Sequence, residues 1–285
     1  MNHSQRNQLE QLAVRIRLAA MRAFQVRGFG HVGGALSIVD LLAVLYGSVM
    51  RYDPARPDWP ERDKLVCSKG HAGPAVYATL ALHGFFPMDW LDTLNQYGTR
   101  LPSHCDHRRT PGIDMTTGSL GQGFSTAVGL ALGDRLKNRG NTIFLIVGDG
   151  ELNEGQVWEA TQFAAHHKLD NLIAFCDRNG KQLDGPTCDI LAMADIPGRF
   201  TAFGWAAQIC GGHDVQAIAA AIDSAKRQPG QPHMIVLETI KGAGVTPVAA
   251  LDANHHMVVP PDLAENAMAE LQAELHRLQQ EGARP

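Results

Sequence analysis

Two apolar runs in this chain end on oxygen donors. Ile143 to Val147 breaks on Gly148-Asp149-Gly150, and Leu172 to Cys176 breaks on Asp177-Arg178-Asn179-Gly180. Asp149 and Asn179 offer a carboxylate and a side-chain carbonyl, hard ligands that suit Mg2+ or Ca2+ rather than Zn2+. Magnesium commonly shares its shell with phosphate oxygens, so the pair suggests a cation held together with a diphosphate. The glycines beside Asp149 let the backbone turn and approach a phosphate closely. Each tripeptide alone reads equally well as a turn, because Gly-Asp and Asn-Gly are turn dipeptides. Both together, each closing an apolar run, favour a site. Histidines add a second kind of chemistry. His31 and His71 each follow a glycine, and His104-Cys105-Asp106-His107 form a row. Imidazoles donate or accept protons near neutral pH. The row carries transition-metal ligand types, yet adjacent residues rarely all face one ion; His107, Arg108 and Arg109 either face an anionic substrate or form a solvated loop, the second reading being favoured. Finally, Thr116-Thr117-Gly118-Ser119-Leu120-Gly121-Gln122-Gly123 is a glycine-rich loop that feeds a helix, a place where free N–H groups and the helix dipole bind anions.

The elements that must position these residues follow from periodicity. Gln156 to Lys168 has helical spacing between the two apolar runs, which predicts a parallel βαβ unit buried on both faces. Ligands of such sheets sit at the carboxyl ends of the strands, where Asp149 and Asn179 fall. Residues 5–27 form a basic amphipathic stretch with Leu9, Leu12, Ile16, Ala20 and Phe24 toward one face, read as a docked first helix closed by Gly28-Phe29-Gly30. The run 30–46 places His31 just before an apolar helix. Pro54 to Arg62 is a polar loop; a short strand then precedes Ser68-Lys69-Gly70-His71 and another helix. The glycine-rich loop opens a helix through Gly133. Leu183 to Ala202, with scattered Pro, Gly and Asp, wraps the site. Phe203 to Cys210 and His233 to Ile240 read as further strands, with a helix Val215–Arg227 between them and a closing amphipathic helix over 262–281.

With 285 residues, 45% of them apolar, the chain can bury a full α/β core as one domain over 1–285. A net charge of −4 argues against general nucleic-acid binding. No apolar run is read as approaching a membrane span. Five cysteines without a CxxC pair suggest reduced thiols and a cytoplasmic setting.

The GDG of 148–150, with an asparagine about thirty residues further on, resembles the thiamine diphosphate and magnesium motif, with Arg178 where the first of two asparagines is common. Glu154-Gly155-Gln156 with Glu159-Ala160, the SKGHA of 68–72, the TTGSLGQG of 116–123, the Gly30-His31 pair and the KGAG of 241–244 resemble transketolase, over about residues 10–260. Three further positions depart from the family: Val32 and Cys105 replace prolines, and Asn254 replaces a tryptophan before the site histidine, where His255 is favoured over His256 in that role. The resemblance implies an α/β, three-layer thiamine diphosphate-binding fold with a mostly parallel central sheet. It implies transfer of a two-carbon glycolaldehyde unit from a ketose to an aldose, with sugar phosphate substrates. His31, His104 and His255 then stand at the substrate. His71, Gly118, Ser119, Leu120, Gly150, Glu154, Asn179 and His255 serve the cofactor; Asp149, Asn179 and the Lys181 carbonyl serve the metal. Glu154 reads equally well as a helix-start charge. A full transketolase is more than twice this length, and only its N-terminal portion is matched. The pyrimidine-binding domain, which supplies the glutamate that activates the cofactor, is missing. The resemblance therefore implies one subunit of a split enzyme, completed by a C-terminal subunit in an α2β2 assembly. The α-type subunit of a 2-oxo acid dehydrogenase shares the GDG pattern, but SKGHA and TTGSLGQG tell against it. A non-catalytic thiamine diphosphate-binding subunit is disfavoured by the retained histidines.

Overall fold

A computed structural model describes residues 1–283. Its strands are β1 (Phe29–Gly30), β2 (Lys64–Cys67), β3 (Ile143–Gly148), β4 (Leu172–Arg178), β5 (Ala206–Gly211), β6 (His233–Glu238) and β7 (Met257–Val258). Five of them form a sheet in the order β2-β3-β4-β6-β5, and every pairing is parallel. The continuous apolar run of β3 is what a strand covered on both sides requires. Phe144 and Ile146 point into one core, with Phe24, Leu36 and Leu80, while Leu145 and Val147 point into the other, with Phe124, Phe200 and Trp205. The result is three layers, with the helices His3–Arg27, Gly73–Leu82 and Val215–Lys226 on one face. Gln122–Leu136, Gly155–His166 and Ile196–Ala202 cover the other.

The connections explain where a ligand can enter. Between β2 and β5 the helices that lead directly into or out of β3 and β4, Gln122–Leu136, Gly155–His166 and Ile196–Ala202, lie on one face, while Gly73–Leu82 within the β2–β3 connection covers the other. The β5 to β6 crossover lies on that second face, and β6 inserts between β4 and β5. That reversal opens a crevice at the carboxyl ends of β4 and β6, the usual ligand position in an open α/β sheet.

The first helix, the βαβ unit and the last helix, Pro261–Gly282, fall within a few residues of their expected bounds. Other expectations need correction. The fifth strand starts at Ala206 rather than Phe203, because Ile196–Ala202 is helical and Phe203 caps it. The antiparallel pair β1 and β7 was not foreseen, since two-residue strands leave no periodic trace. The run 30–46 is not one helix. It divides into Val32–Leu36 and Val39–Val44, followed by a π-helical turn at Leu45–Val49. Ser37 lies at the break, where its hydroxyl donates to Asp177 Oδ2 over 2.7 Å and ties this turn to the end of β4. Val32–Val49 is moreover long and apolar enough for a membrane span by composition, against the expectation that no run is. In the fold 83% of it is buried, so its apolarity serves the core.

Candidate active site

Four strand ends and three loops meet in a cavity of about 340 Å3 at the carboxyl edge of the sheet. Asp149 follows β3, Asn179 and Lys181 follow β4, His71 follows β2, and Lys241 follows β6. Their side chains come together because parallel strands in register end side by side: Gly148 is opposite Asp177, and Arg178 is opposite Glu238.

The glycine-rich loop is held by a residue to which the sequence reading gave no role. Glu151 is buried, and its carboxylate accepts from Ser68 Oγ, from Gly121 N at 2.8 Å and from Gly148 N at 3.1 Å. One side chain thereby joins the ends of β2 and β3 to the start of the helix Gln122–Leu136. Burial raises its pKa, and these donors oppose the rise. Gly121 adopts φ +80°, open to glycine at little cost. A Cβ on Gly70 would stand 2.7 Å from the Thr117 carbonyl carbon, so the SKGH turn and the TTGS loop touch only because Gly70 has no side chain.

Asp177 is the second unforeseen anchor. It is fully buried, and its carboxylate accepts from Lys69 Nζ, Ser37 Oγ, Thr239 Oγ1 and Asn179 Nδ2. Burial opposes ionisation, yet the Lys69 ammonium and these hydrogen bonds outweigh it and hold the carboxyl below its usual range. Lys69 also donates to Gly34 O at 2.8 Å, which fixes the turn that carries His31.

Five histidines gather above this floor. The His31 ring centroid lies 5.4 Å from those of His71 and His104, 5.5 Å from His255 and 4.7 Å from His256, and His71 and His255 are 4.7 Å apart. Burial is the main cause that lowers the pKa of His31 to about 4 and of His255 to about 3, with the neighbouring histidines and Lys241 adding to it. His71 and His104 are lowered as well, chiefly by burial. At neutral pH these four are neutral imidazoles, each able to donate from one nitrogen and accept at the other. His255 lines the cavity and meets Lys241 Nζ through Nδ1 at 2.9 Å, whereas His256 is exposed and packs edge-on against His31. Asn254 is buried: its Nδ2 donates to Lys241 O and Val248 O, and its own carbonyl accepts from Gly33 N. It ties the 254–256 segment to the KGAG turn and the His31 turn by hydrogen bonds alone.

Of the residues singled out from sequence, His31, His71, His104, Gly118, Leu120, Asp149, Gly150, Asn179, Lys181 and His255 line the cavity. Ser119 and Glu154 are exposed outside it, Glu154 at the start of the helix Gly155–His166. In the row 104–107, Cys105 is buried, Asp106 accepts from Arg108 N, and His107 is exposed, so these side chains diverge. Lys69, Glu151, Lys241 and Gln182 also line the cavity. Their only trace in sequence is position: each lies within or just after a strand-end motif.

The donor set fits a hard cation beside a phosphate. Asp149 Oδ1 and Oδ2 each accept one backbone N–H, from Gly150 and Gly180, which leaves lone pairs on both oxygens. Among the described residues, Asn179 Oδ1 accepts only from Lys181 N, and Lys181 O only from Lys241 Nζ. Gln182 Oε1 is buried with no partner among the described residues, an acceptor in want of a donor such as a cation-bound water. An ammonium on Lys181 O already shows that a positive charge is accommodated there. Burial, with Asp177 nearby, raises the pKa of Asp149, a cost that a bound cation offsets.

Fold and site together define the diphosphate-binding domain of a thiamine diphosphate-dependent enzyme. Residues 9–277 match the transketolase thiamine diphosphate-binding domain. The chain is 54% identical, over 87% of its length and 90% of the relative's, to the 6-deoxy-6-sulfo-D-fructose transketolase subunit SqwG of Clostridium sp. (strain MSTE9). It is 38% identical, over 92% and 94%, to one subunit of the apulose-4-phosphate transketolase of Actinobacillus succinogenes. Its structure resembles the transketolase of Campylobacter jejuni with a TM-score of 0.87 at 28% identity, covering 99% of this chain but 48% of that one. The chain belongs to the transketolase family, as an N-terminal subunit that works with a partner.

Proposed function

We propose that, with a C-terminal subunit in an α2β2 cytoplasmic assembly, this chain transfers a glycolaldehyde unit from an anionic ketose to an aldose. Thiamine diphosphate and Mg2+ (or Ca2+) are its cofactors. The observation that carries this reading is the cluster of neutral imidazoles over a floor with free oxygen donors. Thiamine diphosphate, when bound, supplies the carbanion chemistry of ketol transfer. Asp149, Asn179 and the Lys181 carbonyl hold the metal. His71 and the Gly118–Leu120 loop face the diphosphate. His31, His104 and His255 donate to or accept from the sugar hydroxyls and carbonyl, and burial keeps them uncharged so that they can do both. The 54% identity to a subunit named for 6-deoxy-6-sulfo-D-fructose supports a ketose with a terminal sulfonate over the phosphorylated donor expected from sequence. The test is to assay the chain with its partner on that sulfo-sugar and on fructose 6-phosphate. The sulfonate is expected to give the higher kcat/KM, and a preference for the phosphate overturns the donor assignment.

The two adjacent histidines give a sharper test of the site. His255→Ala is expected to lower kcat about 10²–10⁴-fold at saturating cofactor, the range for lost proton transfer. His256→Ala, at the exposed rim, is expected to change kcat less than about tenfold by the same scale. Steady-state kinetics with the opposite ranking moves the role to His256.

A further inference from the structure

Asp40 is a buried carboxylate that the site described above does not use. It lies in the helix Val39–Val44 and accepts from both terminal nitrogens of Arg17, which belongs to the first helix. Burial opposes its ionisation, and Arg17 with His213 outweighs that and holds the carboxyl below its usual range. An ion pair between the two helices would need nothing further, yet both partners of Asp40 reach on to the turn 240–244. Arg17 Nε donates to Ala243 O at 2.9 Å, and a Cβ on Gly244 would run into that nitrogen. His213, just after β5, meets Asp40 Oδ2 through Nδ1 at 2.7 Å, and its Nε2 accepts from Ile240 N at 2.8 Å. A backbone N–H only donates, so Nε2 carries no proton, and the ring proton sits on Nδ1 and is donated to Asp40. Ile240 is 59% exposed, where water can serve its amide. The bond from His213 therefore fixes the place of Ile240 rather than satisfying a buried donor.

The same turn touches both segments that carry the substrate-facing histidines. Gly242 N donates to Gly33 O at 3.0 Å, two residues after His31, and Lys241 O accepts from Asn254 Nδ2 at 3.0 Å, one residue before His255. Arg17, Asp40 and His213 line a different cavity, of about 550 Å3, so they reach the substrate only through the turn. We propose that Arg17, Asp40 and His213 are positioning residues for the reaction: together they clamp the turn at Ile240 N and Ala243 O, and so set where His31 and His255 stand over the substrate. The inference rests on the reading of those two histidines as substrate-facing and adds what holds them in register. Misplacing an orienting group by about 1 Å costs about 100-fold in rate, so a clamp outside the cavity carries kinetic weight without touching substrate.

The test uses the full-length chain assembled with its partner, at saturating thiamine diphosphate and Mg2+. His213→Phe keeps a flat ring without an acceptor for Ile240 N, and is expected to lower kcat about 10–100-fold, the range for lost supporting groups, with the donor KM changed much less. In His213→Gln, Oε1 stands near the place of Nε2 and can accept from Ile240 N, so this variant is expected to recover most of that kcat. A merely structural residue would lower the melting temperature in both variants and leave kcat below melting intact. Wild-type kcat in a folded His213→Phe enzyme overturns the inference, and so does a His213→Gln enzyme no faster than His213→Phe. If His213→Phe does not fold, the 15N-histidine spectrum of the wild-type chain decides. Its His213 signals, assigned by their loss in His213→Gln, are expected to show a proton on Nδ1 and a hydrogen-bonded, unprotonated Nε2; a proton on Nε2 overturns the inference. Absence of ketol transfer by the wild-type assembly overturns the functional reading and this inference with it, a result distinct from equal rates in wild type and variant.

Discussion

The purified chain, supplied with thiamine diphosphate and Mg2+, is expected to show at least about 10³-fold less ketose-to-aldose transfer than the mixture with its partner. That is the scale of a missing general acid or base. Two observations lead to this expectation. The chain covers under half of each of these solved transketolases, and the resemblance places the activating glutamate in the portion of them that it does not match. The rim of the cavity also carries open apolar side chains: Leu120 and Leu183 line it and are 36% and 68% exposed. Exposed apolar side chains at the rim of a polar cavity are the kind of surface that a partner protein covers. A coupled assay of the chain by itself, then of its mixture with the second polypeptide, reads the difference. Full transfer by a preparation in which mass spectrometry finds only this polypeptide refutes the two-subunit reading.

Asp149→Ala is expected to weaken thiamine diphosphate binding about 100-fold or more, since even residues that only support metal ligands cost roughly 10–100-fold. The fold is expected to survive. The substitution leaves Gly150 N and Gly180 N without their acceptor, a local cost of about 1–3 kcal/mol each, while both apolar cores remain intact. Calorimetric titration with thiamine diphosphate, alongside circular dichroism, separates the two effects. An affinity unchanged in the variant, or unchanged for wild type in EDTA, sinks the metal assignment.

Much of the fold was legible because burial writes itself into composition. A parallel strand covered on both faces must be apolar throughout, so β3 and β4 announced themselves, and the glycines and oxygen donors after them marked the ligand edge. The site residues found by motif lie where chain direction alone carries them, at strand ends and loop starts. What sequence did not show depends on partners far apart along the chain. Glu151 is one more helix-start carboxylate until the fold sets Ser68 and Gly121 against it. Asp177 is one residue of a turn until Ser37, Lys69 and Thr239 converge on it from three other elements. The break at Ser37 follows from that convergence, because one buried hydroxyl is drawn to a carboxylate 140 residues away. The choice between His255 and His256 turns on a single hydrogen-bonded residue: buried Asn254 directs its neighbour toward the cavity and Lys241, and leaves the next ring at the rim. Chain order and composition thus set which atoms reach the edge of the sheet. Packing decided which of them are buried and neutral, which carry charge, and which share a partner, since desolvation and pairing exist only once distant segments meet.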